Sequence, residues 1–178
     1  MKKSGIVSLL LMVMMSMAGF CESVPDTIVM TSSYNKIYLH CGQEYVIYDN
    51  GGPEGMYFGS GARYVTIQTE GTGTPIHISV RGNTASSDNV TIYRAASNEP
   101  QTLTTSDRMW YGGGALHWDG VSSTGEATVK FNVINTSTAY QYEGFEIRVW
   151  VSDSSEIYGR CRCRRGYRGP LCGVVVAF

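Results

Sequence analysis

Seven short segments of alternating or continuous apolar residues constrain the fold of this chain more than any other feature. In order along the chain they are KIYLHC, EYVIYD, RYVTIQTE, IHISVRG, NVTIYRA, ATVKFNVI and FEIRVWVS. Turn-forming clusters such as NGGPEG, EGTGTP, NTASSD and DGVSSTG separate them, as expected for strands joined by tight connections. A single sheet with this many strands would leave one apolar face in water. The pattern therefore predicts an all-β fold, an antiparallel β-sandwich.

The alternation also predicts which side chains form the core between the two sheets, because successive residues of a strand point to opposite faces. The predicted core residues are Val65, Ile67, Ile76, Ile78, Val80, Val90, Ile92, Val129, Phe131, Val133, Phe145, Ile147 and Val149. Since neither an internal repeat nor a linker interrupts the segments before about Ser152, they predict one domain.

Residues 1–20 indicate export. Two lysines precede an apolar run from Ile6 to Met17, which is shorter than the roughly 20 residues that a transmembrane helix needs. This order is typical of a cleaved secretory signal, with cleavage expected after Ala18; a buried N-terminal helix is the alternative. No other segment reaches about 18 consecutive apolar residues, so we expect a secreted or extracellular protein without a transmembrane segment.

Export places the cysteines in an oxidising compartment, where they are expected to pair. Four lie beyond the signal: Cys41, Cys161, Cys163 and Cys172. Cys161 and Cys163 are too close in sequence to favour a bridge with each other, which leaves two possible pairings. Cys21 is the odd cysteine, expected to be lipidated, bridged to another chain or removed with the signal. Phe20 stands where a bacterial lipoprotein signal has a small residue.

The C-terminal stretch CRCRRGYRGPLC resembles the second half of an EGF-like module, which we place at residues 159–173. The resemblance implies that Cys163 and Cys172 close a small hairpin, and that Cys161 pairs upstream, with Cys41. The first half of the module is missing, so the receptor or calcium binding of that family is not transferred. A zinc site is the alternative for the four cysteines, but no C-x-x-C pair supports it.

The order of the strands resembles a CUB domain over about residues 37–151. The resemblance rests on Cys41 before the first long loop, on an Asp-x-x-x-Ile-Tyr strand (residues 88–93) and on a Gly-Phe strand at Gly144 and Phe145. It implies a jelly-roll sandwich. Many CUB domains bind calcium, and Asp88 matches one ligand, but the other two carboxylates are missing here. Because calcium requires six to eight oxygens, we expect no tight calcium site and no cofactor; Asp88 is then a turn residue.

The stretch MWYGGGALHWDG carries the candidate ligand-binding residues Trp110, Tyr111, His117 and Trp118. Aromatic side chains on a glycine-rich loop suit the recognition of a protein or a glycan, because rigid rings bury area at little entropic cost. The alternative is that Trp110 and Trp118 cover an open end of the sandwich.

Charge is distributed unevenly along the chain. Residues 22–159 hold fifteen acidic and seven basic residues, whereas residues 160–172 hold five arginines and no acid. The arginine-rich tail either docks on the sandwich, binds an anionic partner such as a sulfated glycan, or is simply solvated. Nucleic acid is not an expected partner for an exported, net acidic chain.

No catalytic motif is recognisable. His40, His77 and His117 lack a metal-binding spacing, and the chain has neither an H-E-x-x-H nor a G-x-S-x-G motif. We therefore predict a non-catalytic extracellular recognition or adhesion module that binds a protein or a glycan. The alternatives are a surface lipoprotein anchored at Cys21 and a small secreted hydrolase with a cryptic site. In a eukaryotic host, Asn89 and Asn135 would be glycosylation sites.

Overall fold

The computed structural model describes residues 24–70, 73–134 and 141–151. Four of the sequence predictions concern residues outside these ranges: the signal peptide at residues 1–20, the fate of Cys21, the glycosylation site at Asn135, and the half-EGF hairpin at residues 159–173 with its three cysteines. Within the described ranges, no helix is long and apolar enough to cross a membrane.

Ten strands and one short 3₁₀ helix, Pro100–Thr102, make up the regular structure of the described residues. The strands are β1 (Asp26–Val29), β2 (Tyr34–Leu39), β3 (Glu44–Tyr48), β4 (Gly61–Thr69), β5 (Ile76–Asn83), β6 (Asn89–Tyr93), β7 (Arg108–Gly112), β8 (Ala115–Ser122), β9 (Glu126–Val133) and β10 (Gly144–Trp150).

The strands form two five-stranded sheets packed face to face, so the predicted β-sandwich is confirmed. Sheet I has the order β1-β3-β10-β5-β8, and sheet II has the order β2-β4-β9-β6-β7. Antiparallel pairing holds in the interior of both sheets, as predicted. At one edge of each sheet, however, β1 runs parallel to β3 and β2 runs parallel to β4. The residues between β1 and β2 carry the chain from sheet I to sheet II, and those between β3 and β4 repeat that crossing.

All thirteen predicted core residues are buried between the two sheets. Aromatic contacts hold the centre of this core together. The ring of Phe131 packs edge-to-face against Tyr57 at 5.1 Å and against Phe145 at 4.9 Å, a geometry that the charge distribution of aromatic rings favours. Because Phe131 lies on β9 of sheet II and Phe145 on β10 of sheet I, this contact joins the two sheets.

The seven strand segments read from the sequence correspond to β2, β3, β4, β5, β6, β9 and β10, whereas β1, β7 and β8 were missed. The stretch interpreted as a glycine-rich loop, residues 109–120, is in fact most of β7 and β8. Its glycines obscured the strand pattern, since glycine is depleted in strands. β7 and β8 are edge strands of different sheets, so the turn at Gly113 and Gly114 carries the chain across the sandwich.

Candidate functional site

Trp110 and Trp118 lie between the two sheets and close one edge of the sandwich. Trp110 is paired with the core residue Ile92, and Trp118 with the core residue Val80, so both indoles point inward. Their rings stack at 5.6 Å with an interplanar angle of 16°. The sequence alternative placed these tryptophans over an open end of the sandwich, whereas they lie along its side, between the edge strands β7 and β8.

Each indole lies against a glycine two residues further along its own strand. A Cβ atom at Gly112 would overlap the ring of Trp110, and one at Gly120 would overlap the ring of Trp118. The twice-occurring W-x-G spacing therefore has a packing role: the glycine leaves the space that the indole fills. An open cleft of about 260 Å³ adjoins this edge, and it is lined by Arg94, Met109, Trp118, Val121, Ser122 and Ser123.

The four residues predicted to bind a ligand do not share one surface. Tyr111 is paired with Thr91 and points out from sheet II, where it is 54% exposed. His117 is paired with Arg81 and points out from sheet I. With both tryptophans inside, the structure separates Tyr111 and His117 onto opposite faces of the sandwich, and the expected aromatic loop is not a single binding site.

Asp88, the candidate calcium ligand, is fully buried in a hydrogen-bond network at the end of β9. The Tyr57 hydroxyl donates to one carboxylate oxygen at 2.9 Å, and the backbone N–H of Ile134 donates to the other at 2.8 Å. The Ala85 N–H in turn donates to the Tyr57 oxygen, and burial raises the pKa of Tyr57. The part of the chain that the structure describes contains no group of three or more His, Cys, Asp or Glu side chains that could hold a metal ion.

Cys41 is disulfide-bonded, and it lies where both ends of the described chain leave the sandwich. The side-chain amide of Gln43 donates to Asp26 at the start of β1, while Gly42 and Gln43 exchange backbone hydrogen bonds with Val151 after β10. Cys161 lies ten residues beyond Val151 and outside the described residues, so its bridge to Cys41 stays a prediction. Cys21, five residues before Asp26, is within reach of the same turn.

The predicted glycosylation site within the described ranges, Asn89, begins β6 on the outer face of sheet II opposite Asn132. Its side chain is only 8% exposed. Glycan attachment at Asn89 stays a prediction that this low exposure does not favour, because a glycan needs an accessible amide.

The outer surface of sheet II, which we call the tyrosine face, is the aromatic and basic surface that the sequence reading missed. The side chains that point outward from it include Tyr34, Lys36, Tyr38, Tyr64, Tyr93, Arg108, Tyr111 and Lys130. Alternation explains the common direction of Lys36, Tyr64 and Lys130, because each is a neighbour in sequence of a buried residue such as Ile37, Val65 or Val129.

Three cations of the tyrosine face lie over tyrosine rings. The Lys36 ammonium is 5.1 Å from the ring centroid of Tyr38, and the Lys130 ammonium is 5.8 Å from that of Tyr64. The guanidinium of Arg108 is 5.6 Å from the ring of Tyr111. These distances are within the range in which the negative face of an aromatic ring attracts a cation.

A β-bulge brings Arg108 onto this face. The register between β6 and β7 shifts at Ile92 and Tyr93, so that Tyr93 is paired with Arg108 while Ile92 is paired with Trp110. The extra residue, Met109, packs against the core beside Trp110. Because a bulge breaks the period of two, simple alternation would have placed Arg108 and Tyr111 on opposite faces.

The outer face of sheet I also carries cations, but there they are paired with carboxylates. Arg81 binds Asp119 at 2.8 Å, and Arg148 binds both Glu44 and Glu146. The hydrogen bond from Arg81 lowers the pKa of Asp119. By contrast, Lys36, Arg108 and Lys130 form no ion pair with any carboxylate in the described ranges. The cations on the outer face of sheet I are therefore neutralised by carboxylates, whereas those of the tyrosine face keep their positive charge.

The segment between β6 and the 3₁₀ helix lies across the middle of the tyrosine face. Thr128 donates a hydrogen bond to the carbonyl of Ala95, and both Thr66 and Tyr34 donate to the carbonyl of Ser97. The segment leaves Tyr64, Lys130, Thr91 and Tyr111 as a continuous row on one side. Burial raises the pKa of Tyr64, with a smaller contribution from Tyr93.

Comparisons with known proteins do not assign a family. No protein-family model matches the chain, and no curated protein matches it. Several solved structures align with part of the chain, and three of them follow. The full extracellular region of zebrafish Gpr126/Adgrg6 aligns at 19% identity and a TM-score of 0.44, over 67% of this chain and 15% of that one.

The other two structures are bacterial. The periplasmic inhibitor of g-type lysozyme from Aeromonas hydrophila aligns at 12% identity and a TM-score of 0.37, over 66% of this chain and 98% of that one. The pre-peptidase C-terminal domain of a collagenase from Bacillus anthracis aligns at 12% identity and a TM-score of 0.34, over 72% of this chain and 98% of that one. These similarities are too weak to transfer a function, and the CUB and EGF resemblances stay predictions.

Proposed function

We propose that this chain is a non-catalytic, exported recognition module that binds its partner through the tyrosine face. The observation that carries the proposal is the set of three cations that rest on tyrosine rings and, in the described part of the chain, have no carboxylate partner. A cation that is already paired, such as Arg81 with Asp119, must break that pair before it can bind a ligand. Within the described residues, the cations of the tyrosine face have no carboxylate to release, and Lys36 donates only a long hydrogen bond to the Asn98 amide oxygen, at 3.5 Å.

Tyrosine is well suited to this role. Its ring offers a large contact area while only two side-chain torsions are fixed on binding, and its hydroxyl supplies a hydrogen bond. Tyr111 and Tyr38 are each 54% exposed, so their rings are accessible to a partner. Both lie on a rigid sheet rather than on a loop, which lowers the entropic cost of binding.

We propose that the chain has no catalytic activity because of the surroundings of its candidate catalytic groups. The buried carboxylate of Asp88 accepts hydrogen bonds from a tyrosine hydroxyl and a backbone amide. The histidines are used separately: His40 pairs with Glu70, His77 stacks on Trp150 at 5.3 Å, and His117 lies on the outer face of sheet I. Export is supported by the N-terminal signal pattern and by the disulfide at Cys41.

The test is a comparison of two surface variants of the full chain, exported by its own host, on an array of neutral and acidic glycans and polypeptides. Tyr111→Ala/Lys130→Ala alters the tyrosine face, and His117→Ala/Arg81→Ala is the matched control on sheet I. We expect the first variant alone to lose binding to the ligands that the parent protein retains. Equal loss in both variants, no loss in either, or an activity that consumes an array ligand would contradict the proposal.

A further inference from the structure

We infer that the partner of the tyrosine face is an acidic polysaccharide, a glycan that carries carboxylate or sulfate groups; this inference rests on the proposed function. Its anionic groups would bind Lys130 and Arg108, and its sugar rings would lie against Tyr64 and Tyr111. The inference is drawn from the charge of this face, from the spacing of its cations and from the chemistry of the surface between them.

The charge of the tyrosine face is opposite to that of the domain around it. Residues 22–159 hold fifteen acidic residues against seven basic ones, yet the outward positions of sheet II include a single carboxylate, Glu126. That carboxylate accepts hydrogen bonds from the Gln68 amide and the Ala96 N–H, at 3.2 and 3.3 Å. A polyanion approaching this domain would be repelled elsewhere and attracted here.

The two cations are spaced for an extended ligand rather than for one small anion. Lys130 is on β9 and Arg108 is on β7, with β6 between them. Lys130 is opposite Thr91 and Arg108 is opposite Tyr93, so two inter-strand spacings of about 4.8 Å combine with an offset of about 7 Å along the strands and place the backbones about 12 Å apart. Lys130 reaches toward Tyr64 on β4 and Arg108 lies over Tyr111 on β7, so the two charged groups are directed to different strands. A linear chain that crosses the strands presents successive charges to each.

The accessible surface beside the cations is made of tyrosine rings and their hydroxyls. Thr91, which separates Lys130 from Tyr111 in the register, is only 3% exposed, so a ligand meets the half-buried Tyr64 and the exposed Tyr111 instead. Rings set beside hydroxyl groups match a sugar, which has C–H groups on its ring faces and hydroxyls around its edge.

A protein partner fits this surface less well. The core of a protein–protein interface is apolar and depleted of charge. Of the exposed large hydrophobic residues in the described chain, only Tyr38 and Tyr111 are on the strands of sheet II; Val121 is on β8 of sheet I, and Ile134 is a single aliphatic residue just beyond the end of β9. The tyrosine face therefore offers rings and charges, but no aliphatic patch for a protein to bury.

The experiment measures the affinity of the full chain for four polymers: heparin as the sulfated glycan, alginate as the carboxylated glycan, dextran as the neutral glycan and polyglutamate as the acidic polypeptide. Each is measured at about 0.05 M and about 0.5 M salt, since ion-pair contributions are screened at the higher value. We expect binding to heparin, to alginate or to both that weakens with salt, and little binding to dextran or polyglutamate.

Two double variants distinguish the contribution of the tyrosine face to binding from the effect of net charge. Lys130→Gln/Arg108→Gln and Arg81→Gln/Arg148→Gln each remove two positive charges, and both leave the arginine-rich tail unchanged. The first should lower affinity for the acidic glycan about tenfold, since each exposed ion pair contributes up to about threefold to fivefold. The second should lower it less than about twofold, because its arginines are already paired with carboxylates.

A third variant tests the ring itself. Tyr111→Ala should weaken binding by about as much as the removal of one cation does. Tyr111→Phe should retain binding, because the ring remains. Near-ultraviolet circular dichroism of each variant checks that the fold is kept.

Four results would overturn the inference. Equal losses in the two double variants would mean that net charge alone attracts the glycan, and a preference for polyglutamate would mean a protein partner. Binding to dextran that depends on Tyr111 would refute the acidic glycan but leave the proposed recognition face standing. If no array ligand depends on the tyrosine face, the proposed function fails together with the inference.

Discussion

The contact between Gly144 and Asp49 gives the sharpest prediction about stability. Gly144 begins β10 with a φ of +84°, and a Cβ atom there would overlap the Asp49 carboxylate. That carboxylate is fully buried and accepts the N–H groups of Phe145 at 2.8 Å and Gly51 at 2.7 Å. Burial raises the pKa of Asp49, and the two amides partly oppose the rise. Gly144→Ala would therefore force the carboxylate away from its donors.

The cost of Gly144→Ala has two parts. A left-handed backbone costs an alanine about 1–2 kcal/mol. The lost hydrogen bond between a buried amide and a carboxylate costs about 1.5–3 kcal/mol. Together they predict a loss of about 2.5–5 kcal/mol in the free energy of unfolding, which is severe for a domain of this size. Gly61→Ala is the matched control: Gly61 begins β4 with a φ of +96°, and no atom lies within 4 Å of its Cβ position.

The assay is urea unfolding followed by tryptophan fluorescence on five proteins: the parent, the single variants Gly144→Ala, Asp49→Ala and Gly61→Ala, and the double variant Gly144→Ala/Asp49→Ala. Asp49→Ala removes the carboxylate that the new methyl group meets. In that background Gly144→Ala should cost only the backbone strain of about 1–2 kcal/mol, as Gly61→Ala does. Additive effects in the cycle, or a Gly144→Ala variant no less stable than Gly61→Ala, would refute the reasoning.

Three further predictions concern other parts of the chain. Gly120→Ala should lower the free energy of unfolding by about 1–3 kcal/mol and change the near-ultraviolet circular dichroism, because the added methyl group overlaps the Trp118 ring. An unchanged spectrum would contradict the packing role of Gly120. Tyr57→Phe should lower the free energy of unfolding by about 1–3 kcal/mol, because Asp88 loses a hydrogen-bond donor and the Ala85 N–H loses its acceptor. An unchanged Tm in calorimetry would contradict this. A non-reducing peptide map should join Cys41 to a cysteine of the C-terminal tail, and a bridge to the N-terminal cysteine would refute the half-EGF pairing.

The strand pattern made most of the fold predictable. In segments such as RYVTIQTE and ATVKFNVI, a period of two distinguished Val65 and Val129 from their outward neighbours without any knowledge of the partner strands. The pattern failed for β7 and β8, where glycines and a bulge interrupt the alternation. There the sequence suggested a loop, and it grouped Trp110, Tyr111, His117 and Trp118 because they are near one another along the chain.

What the sequence determined by itself was therefore local: the β class, the buried side of most strands and the pattern of an export signal. The surroundings of Tyr111 were decided only by the tertiary structure. Tyr64, Lys130 and Tyr111 come from three separate strands, and they form one surface only because sheet II places β4, β9, β6 and β7 side by side. Alternation says which face of a strand a residue occupies, but strand order depends on hydrogen bonds and packing between distant segments. For that reason the candidate recognition face could be seen only in the folded chain.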